Sequence, residues 1–133
     1  MRFEKQIEEK FTVIKLLEEK LDATKAPALK GEFIMLNTKG VRNIILNLEQ
    51  VLYTDSSGLS AILTANRLCR DVNGSLILCS ISSHIEKLIK ISQLENTLYV
   101  LPTVEEAKEA IFMLELEREI DSEEQDQTEA SSL

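Results

Sequence analysis

The chain is short and acidic, with 133 residues, a net charge of -8, 44% apolar residues and no tryptophan. This length suits one domain with a small aliphatic core. Residues 115–133 hold eight acids and one base, whereas the first 114 residues hold 15 acids and 14 bases. Since the larger part carries no basic stripe, the composition argues against a nucleic-acid partner.

The cysteines and the N-terminus indicate where in the cell the protein would reside. Cys69 and Cys79 lack Cys-x-x-Cys spacing and fall on a predicted helix and a predicted strand, so we interpret them as reduced core thiols. The N-terminus lacks the apolar stretch of a signal peptide, and no run approaches the roughly 18 apolar residues of a membrane span. We therefore expect a soluble, cytoplasmic protein with no membrane partner.

The first third of the chain predicts two strands and a helix. Residues 3–8 alternate weakly, as an edge strand does, and residues 11–17 predict a stronger strand that could form a hairpin with the first. A helix capped by Asp22 or Thr24 follows and stops near Gly40. Its predicted core-facing residues are Ala26, Leu29, Phe33 and Leu36.

The centre of the chain is a strand-to-helix junction. A buried strand over 41–48 leads to Asp-Ser-Ser-Gly at 55–58, and a helix then runs to about Val72. Asp and Ser are favoured at such a junction because a side-chain oxygen accepts a free backbone N–H of the first turn. A hydroxyl there is also well placed to carry a phosphate, which the helix dipole would favour and Asp55 would repel.

The remaining elements repeat the strand-helix alternation. A short strand over 75–81 precedes a helix capped by Ser82 or Ser83, and a last strand near 97–100 precedes a helix capped by Thr103. The helix capped by Ser82 or Ser83 would contain Ile85, Leu88 and Ile89 and could reach Ile91. The order ββ-α-β-α-β-α-β-α predicts an α/β fold, with a mixed, mostly parallel sheet of about five strands and about four helices. Residues 1–114 would form this domain, and residues 115–133 a disordered acidic tail.

Several strings together resemble the STAS domain family, and within it the bacterial anti-sigma factor antagonists, over about residues 3–113. They are Asn43–Glu49, Asp55–Leu59, Gly74 with the strand after it, Ile91–Leu94 and Val104–Ala107. The Asp-Ser-Ser-Gly-Leu string in this structural context is the most specific of them.

The resemblance implies a SpoIIAA-like fold and a phosphorylation switch at Ser56. In that family an anti-sigma factor serine kinase phosphorylates this serine and a phosphoserine phosphatase reverses the modification. The unphosphorylated form binds the anti-sigma factor and frees a sigma factor. By position, Asp55, Ser57 and Gly58 would support the phosphosite, and Asp22 would lie near the same surface. No metal, cofactor or catalytic residue is implied.

Departures from the family pattern lie before the first predicted helix and within it. Glu19-Lys20 stands where the family often has Gly-Glu, and the following helix contains Pro27. Both departures fall on the surface that the family usually uses to bind its partner. On the helix after the phosphosite, the residues that face away from the predicted core are candidate partner contacts. They are Ser60, Leu63, Thr64 and Arg67.

Three alternatives stand beside this interpretation. A receiver domain would use Asp55 as phosphoryl acceptor, but it needs an acidic Mg²⁺ pair and a lysine where Leu101 stands. A serine hydrolase needs a Gly-x-Ser-x-Gly elbow, which is absent, and a base, for which the only histidine is His84, a predicted surface helix residue. Four scattered glycines exclude a phosphate-binding loop. The main alternative is a STAS module that binds a non-sigma partner, in a stressosome or beside a transporter.

Overall fold

The computed structural model describes the backbone of residues 1–131 and the side chains of residues 1–124. Strands and helices alternate along that part of the chain. Their bounds are β1 Phe3–Ile7, β2 Thr12–Leu16, β3 Lys20–Leu21, α1 Ala26–Thr38, β4 Ile44–Asn47, β5 Tyr53–Thr54, α2 Ser56–Asp71, β6 Leu76–Cys79, α3 Ser83–Ile91, β7 Tyr99–Leu101 and α4 Val104–Ser131.

Five of the strands form one mixed sheet in the order β1-β2-β4-β6-β7. The opening hairpin makes β1 antiparallel to β2, with Phe3 opposite Leu16. Every other pair in this sheet is parallel, and the register places Leu46 of β4 between Ile14 of β2 and Leu78 of β6. The predicted α/β fold, with a mostly parallel sheet of about five strands and four helices, is confirmed.

Helices cover both faces of this sheet. Successive residues of a strand point to opposite faces, so β4 sends Leu46 to one side and Ile45 to the other. Leu46 packs in a core that includes Phe33 of α1 and Ile62 of α2, whereas Ile45 packs with Ile111 of α4. The helices α1, α2 and α3 therefore share one face, and α4 covers the other.

Two short strands were not predicted. β3 and β5 form a separate parallel pair, in which Lys20 lies opposite Tyr53 and Leu21 opposite Thr54. Each strand has only two residues, so it is too short to show a recognisable alternation of apolar and polar residues. The pair matters because it fixes the backbone immediately before α2.

The predicted cap of α1 is wrong. Its N-cap is Lys25, which makes no side-chain cap hydrogen bond, and Pro27 stands in the first turn as predicted. The Asp22 carbonyl instead accepts from the backbone N–H groups of Lys25 and Ala26. The side chain of Asp22 accepts from the Thr24 hydroxyl at 2.6 Å, so the two residues bond to each other rather than to the helix. Ile91 is the last residue of α3, and its side chain is 80% exposed.

The last helix continues past the expected domain boundary. Composition predicted disorder from residue 115, whereas the structure extends α4 to Ser131. Glu115 is buried and accepts hydrogen bonds from Asn43 at 2.7 Å and from Arg118 at 2.8 Å. The segment just after residue 114 is therefore packed on the domain, while residues 132–133 of the predicted tail lie outside the described residues. A domain boundary at residue 114 stays a prediction.

Candidate functional site

The site is the turn from β5 into α2, and buried contacts fix its backbone. Thr54 is buried, and its hydroxyl donates a 2.9 Å hydrogen bond to the carbonyl of Leu21 in β3. The backbone N–H of Asp55 donates to the same carbonyl at 3.3 Å. The start of α2 is therefore held against β3 by two hydrogen bonds to one acceptor.

Asp55 serves as the N-cap of α2. Its backbone is extended, and its Oδ1 accepts the Gly58 N–H at 3.0 Å. One of the free N–H groups of the first turn is thereby satisfied, as expected for an aspartate at this position. The carboxylate of Asp55 is engaged in holding the helix start in place.

Gly58 is required by space rather than by backbone conformation. A Cβ atom built there would lie 2.1 Å from the Thr54 hydroxyl oxygen and 2.5 Å from the Leu21 carbonyl oxygen. Both distances are far inside van der Waals contact, so only glycine lets the first turn of α2 approach β3 this closely. Asp55 and Gly58 thus have structural roles in the turn that carries Ser56, the predicted phosphosite.

Ser56 is the first residue of α2 and is exposed to solvent. Its hydroxyl makes no hydrogen bond to the described part of the chain. It borders an open cavity of about 310 Å³ between the starts of α1 and α2. The other lining residues are Ala23, Ala26, Pro27, Lys30, Ser57 and Ser60.

Lys30 gives this cavity its charge. Lys30 is the charged residue among those that line the cavity with Ser56 and Ser60, and its ammonium has no ion-pair partner within 4 Å among residues 1–124. A cation beside hydroxyl groups favours an anionic group in the same space. The sequence did not single out Lys30, because nothing in the order of residues shows that α1 and α2 begin side by side.

The predicted contact residues separate into two groups. Ser60 lines the cavity, whereas Leu63, Thr64 and Arg67 lie further along α2 and do not. The expectation that Leu63 faces away from the core is wrong, because its side chain is half-buried and packs against the core, whereas Arg67 is exposed. Asp22 lies outside the cavity lining. The Thr24 hydroxyl bonded to its carboxylate lowers the pKa of Asp22, with the lysine at 25 adding to the effect.

An aromatic pair lies on the other side of the junction. The ring of His84 in α3 lies 4.9 Å from the ring of Tyr53, centroid to centroid. The Nε2 atom of His84 is 3.3 Å from the carbonyl oxygen of Thr54, just before the N-cap. Tyr53 and His84 are both exposed, and their proximity could not be predicted because they lie far apart in the chain. His84 lies on a surface helix as predicted, next to the predicted phosphosite.

The family model described as "STAS domain" matches residues 2–107 of the chain, and the chain belongs to this family. A curated relative, the anti-sigma-B factor antagonist of Staphylococcus aureus, is 28% identical over 100 residues, which is 75% of this chain and 92% of that protein.

Solved structures agree with this assignment. Unphosphorylated SpoIIAA, an anti-sigma factor antagonist, matches with a TM-score of 0.66 and 26% identity, over 86% of this chain and 98% of that one. The phosphorylated form of SpoIIAA from Bacillus matches with a TM-score of 0.67 and 27% identity, over 83% and 99%. A STAS protein of Planctomyces limnophilus shares the fold with a TM-score of 0.74 at 19% identity, over 82% and 97%.

Within the residues that the structure describes, no helix combines the length and hydrophobicity that a membrane span requires. No group of three or more His, Cys, Asp or Glu side chains in that part of the chain is placed to hold a metal ion. Cys69 and Cys79 are both buried free thiols, as predicted.

Proposed function

We propose that the chain is an anti-sigma factor antagonist and that Ser56 is its phosphorylation site. The proposal rests on the different roles of neighbouring residues at the start of α2. Asp55 and Gly58 hold the turn together, while the Ser56 hydroxyl is exposed and takes no part in the fold. A kinase can reach this hydroxyl without unfolding the helix. Membership of the STAS family and the likeness to SpoIIAA support the same function.

Phosphorylation of Ser56 would change the surface more than the fold. The phosphate would add about -1.5 to -2 charges at the N-terminus of α2, where the helix dipole favours an anion. Lys30 on the same cavity adds a second favourable interaction, and Asp55 opposes both. Because none of these groups has to move from a buried position, we expect the modified domain to remain folded.

The partner is an anti-sigma factor serine kinase, which docks on the rim around Ser56 when the serine is unmodified. Docking withdraws the kinase from its sigma factor, and a phosphoserine phosphatase restores the binding form after phosphorylation. A partner that covers this rim would have to desolvate a doubly charged group next to Asp55, which is costly without several cations to pair with it. Release of the partner follows. In this scheme the chain acts in the cytoplasm as a substrate and binding protein, with no catalytic step of its own.

The receiver alternative is disfavoured by the geometry of Asp55. Oδ1 of Asp55 accepts the Gly58 N–H at 3.0 Å, so this carboxylate already caps α2. An acyl phosphate formed on its other oxygen would leave a neutral carbonyl as the acceptor and would weaken the cap. Ser56 carries no such structural role.

The first experiment identifies the modified residue. The purified chain is incubated with ATP and the cognate anti-sigma factor kinase, and the phosphate is mapped by mass spectrometry. We expect one phosphate, lost in Ser56→Ala and retained in the matched control Ser57→Ala, whose serine lies next in the helix. An acid-labile phosphate on Asp55 would support the receiver alternative and overturn the proposal.

The second experiment measures partner binding. Ser56→Asp is expected to weaken binding of the anti-sigma factor kinase at least about tenfold, which corresponds to about 1.4 kcal/mol. The control Ser122→Asp places the same charge on an exposed residue of α4, on the other face of the sheet, and is expected to leave affinity unchanged. Equal binding by both variants, or capture of transporter subunits regardless of Ser56, would favour a STAS module with a non-sigma partner.

A further inference from the structure

The outer face of α4 carries large apolar side chains that stay about half exposed, although the ring of Phe112 packs edge-on against Phe11 with 5.9 Å between the centroids. The exposed fractions are 52% for Phe112, 57% for Met113, 48% for Leu116 and 46% for Ile120. We call these four residues the α4 stripe. Met113, Leu116 and Ile120 follow the i, i+3, i+7 spacing of a helix that packs against another helix.

The orientation of this stripe is fixed by the opposite side of the same helix. Ala107 and Ile111 are fully buried against the sheet. One turn further on, Glu115 accepts from Arg42 at 2.6 Å and from Asn43 at 2.7 Å, and Arg118 donates to the Ser75 hydroxyl at 2.7 Å. With one side bonded in this way, the four apolar residues are held toward solvent and cannot turn into the core.

The helix also extends beyond the sheet that it covers. Its 28 residues span about 42 Å at 1.5 Å per residue, whereas a five-residue strand spans about 17 Å. The stripe lies on the middle of α4 and reaches Ile120, next to Glu119, whose carboxylate is 3.7 Å from Lys10 of the domain. A second helix could therefore lie along the outer side of α4 for about two turns.

Acidic side chains border the stripe. Glu109, Glu117 and Asp121 lie on the outer side of α4, and none of them has a cation within 4 Å in residues 1–124. The basic residues of α4 are turned away from the stripe, with Lys108 over the Phe11 ring and Arg118 in the Glu115 cluster. Glu119 is the exception among the bordering acids, since Lys10 lies 3.7 Å from it. The surface is thus apolar along its centre and negative along its edges.

We infer that the α4 stripe binds a basic amphipathic helix of a partner protein. The apolar residues would pack against the apolar face of that helix, and its lysines and arginines would meet the bordering carboxylates. A second copy of this chain would set carboxylates against carboxylates, and an anionic membrane would be repelled. This interface lies on the face of the sheet opposite α2, so the inference does not rest on the function proposed for Ser56.

The test uses the full chain and synthetic peptides in a fluorescence anisotropy titration. The probe is an 18-residue helix of leucine and lysine with all leucines on one face. A permuted peptide of identical composition, with the leucines scattered around the helix, separates amphipathic binding from plain charge attraction. A third peptide with glutamate in place of lysine tests the charge. We expect the first peptide to bind at least about tenfold more tightly than either of the others.

Variants place the binding on α4. The double variant Met113→Ser/Leu116→Ser is expected to weaken binding at least about tenfold, and Glu117→Lys/Asp121→Lys to weaken it and flatten its salt dependence. The matched control is Ile91→Ser, which removes a more exposed apolar residue, 80% exposed, from α3. Ser56→Asp is a second control and should leave peptide binding unchanged. Circular dichroism checks that each variant is folded.

Three results would overturn the inference. Equal binding of the permuted peptide would reduce the effect to net charge. Equal binding of the glutamate peptide would remove the role of the bordering carboxylates. A dimer in sedimentation experiments on the unmodified chain, lost in Met113→Ser/Leu116→Ser, would assign the stripe to a second copy.

Discussion

Gly58→Ala tests whether a close contact, rather than helix formation, decides the residue at this position. Both Gly58 and Gly31 lie inside helices, where alanine is normally favoured by about 1 kcal/mol over glycine. At Gly58 the added methyl group would lie 2.1 Å from the Thr54 hydroxyl and 2.5 Å from the Leu21 carbonyl oxygen. At Gly31 nothing lies within 4 Å. The two substitutions are therefore expected to change stability in opposite directions.

The size of the effect follows from what must move. The Thr54 hydroxyl is buried and bonded to the Leu21 carbonyl at 2.9 Å, so its displacement costs about 1 kcal/mol in addition to the strain. Overpacking of this kind costs about 1–3 kcal/mol. After the helix-propensity gain of about 1 kcal/mol is subtracted, we expect Gly58→Ala to lower the free energy of unfolding by about 1–3 kcal/mol. Gly31→Ala should instead raise the free energy of unfolding by up to about 1 kcal/mol.

Urea denaturation followed by far-UV circular dichroism measures both variants against the unmodified chain. We expect the midpoint to fall for Gly58→Ala and to rise slightly for Gly31→Ala, with similar slopes. An unchanged or higher midpoint for Gly58→Ala would refute the reasoning, because it would mean that the turn between β5 and α2 yields easily. In that case the rigid presentation of Ser56 would lose its physical basis.

Two further predictions concern buried groups. Burial alone would raise the pKa of Glu115, but hydrogen bonds from Asn43 and Arg118 outweigh it and hold the pKa below the ordinary 4.5. The ionised carboxylate thus stabilises the fold above pH 4.5, and this stabilisation is lost as pH falls through the lowered pKa. Glu115→Gln should therefore lower the free energy of unfolding by about 1.5–3 kcal/mol at pH 7 and by less in acid. Urea denaturation at a series of pH values measures this difference. Burial raises the pKa of Cys69 to about 12 and that of Cys79 to about 11, so neither should react with Ellman's reagent at pH 8 until the chain is unfolded. Rapid labelling of the native chain would contradict the second prediction.

The regular elements were predictable because their signals are local. Apolar spacing identified Ala26, Leu29, Phe33 and Leu36 as the buried face of α1, and all four are buried. The cap of α2 was equally local, since Asp55 bonds to an N–H only three residues away. The family resemblance rested on strings of the same kind, and the match over residues 2–107 confirms it.

The features that escaped prediction depend on residues far apart in the chain. Glu115 bonds to Asn43, which lies 72 positions earlier in the chain. Because the sequence around Glu115 is acidic and shows no sign of this contact, composition predicted a solvated tail there. Lys30 reaches the cavity of Ser56 only because α1 and α2 start side by side. No periodicity encodes either contact, since both arise from the packing of helices on a sheet.

The proposed switch at Ser56 would depend on the rigidity of the turn around this residue. The backbone before Ser56 is bonded to β3 through Thr54 and Asp55, and the backbone after it is pressed against β3 at Gly58. The hydroxyl between these points has little freedom to move away from the surface. A phosphate added there would stay on the rim. A docking partner could then bind only by removing the water that hydrates the phosphate. A flexible loop would let the same charge swing aside, so the proposed effect of a single phosphate depends on this rigid turn.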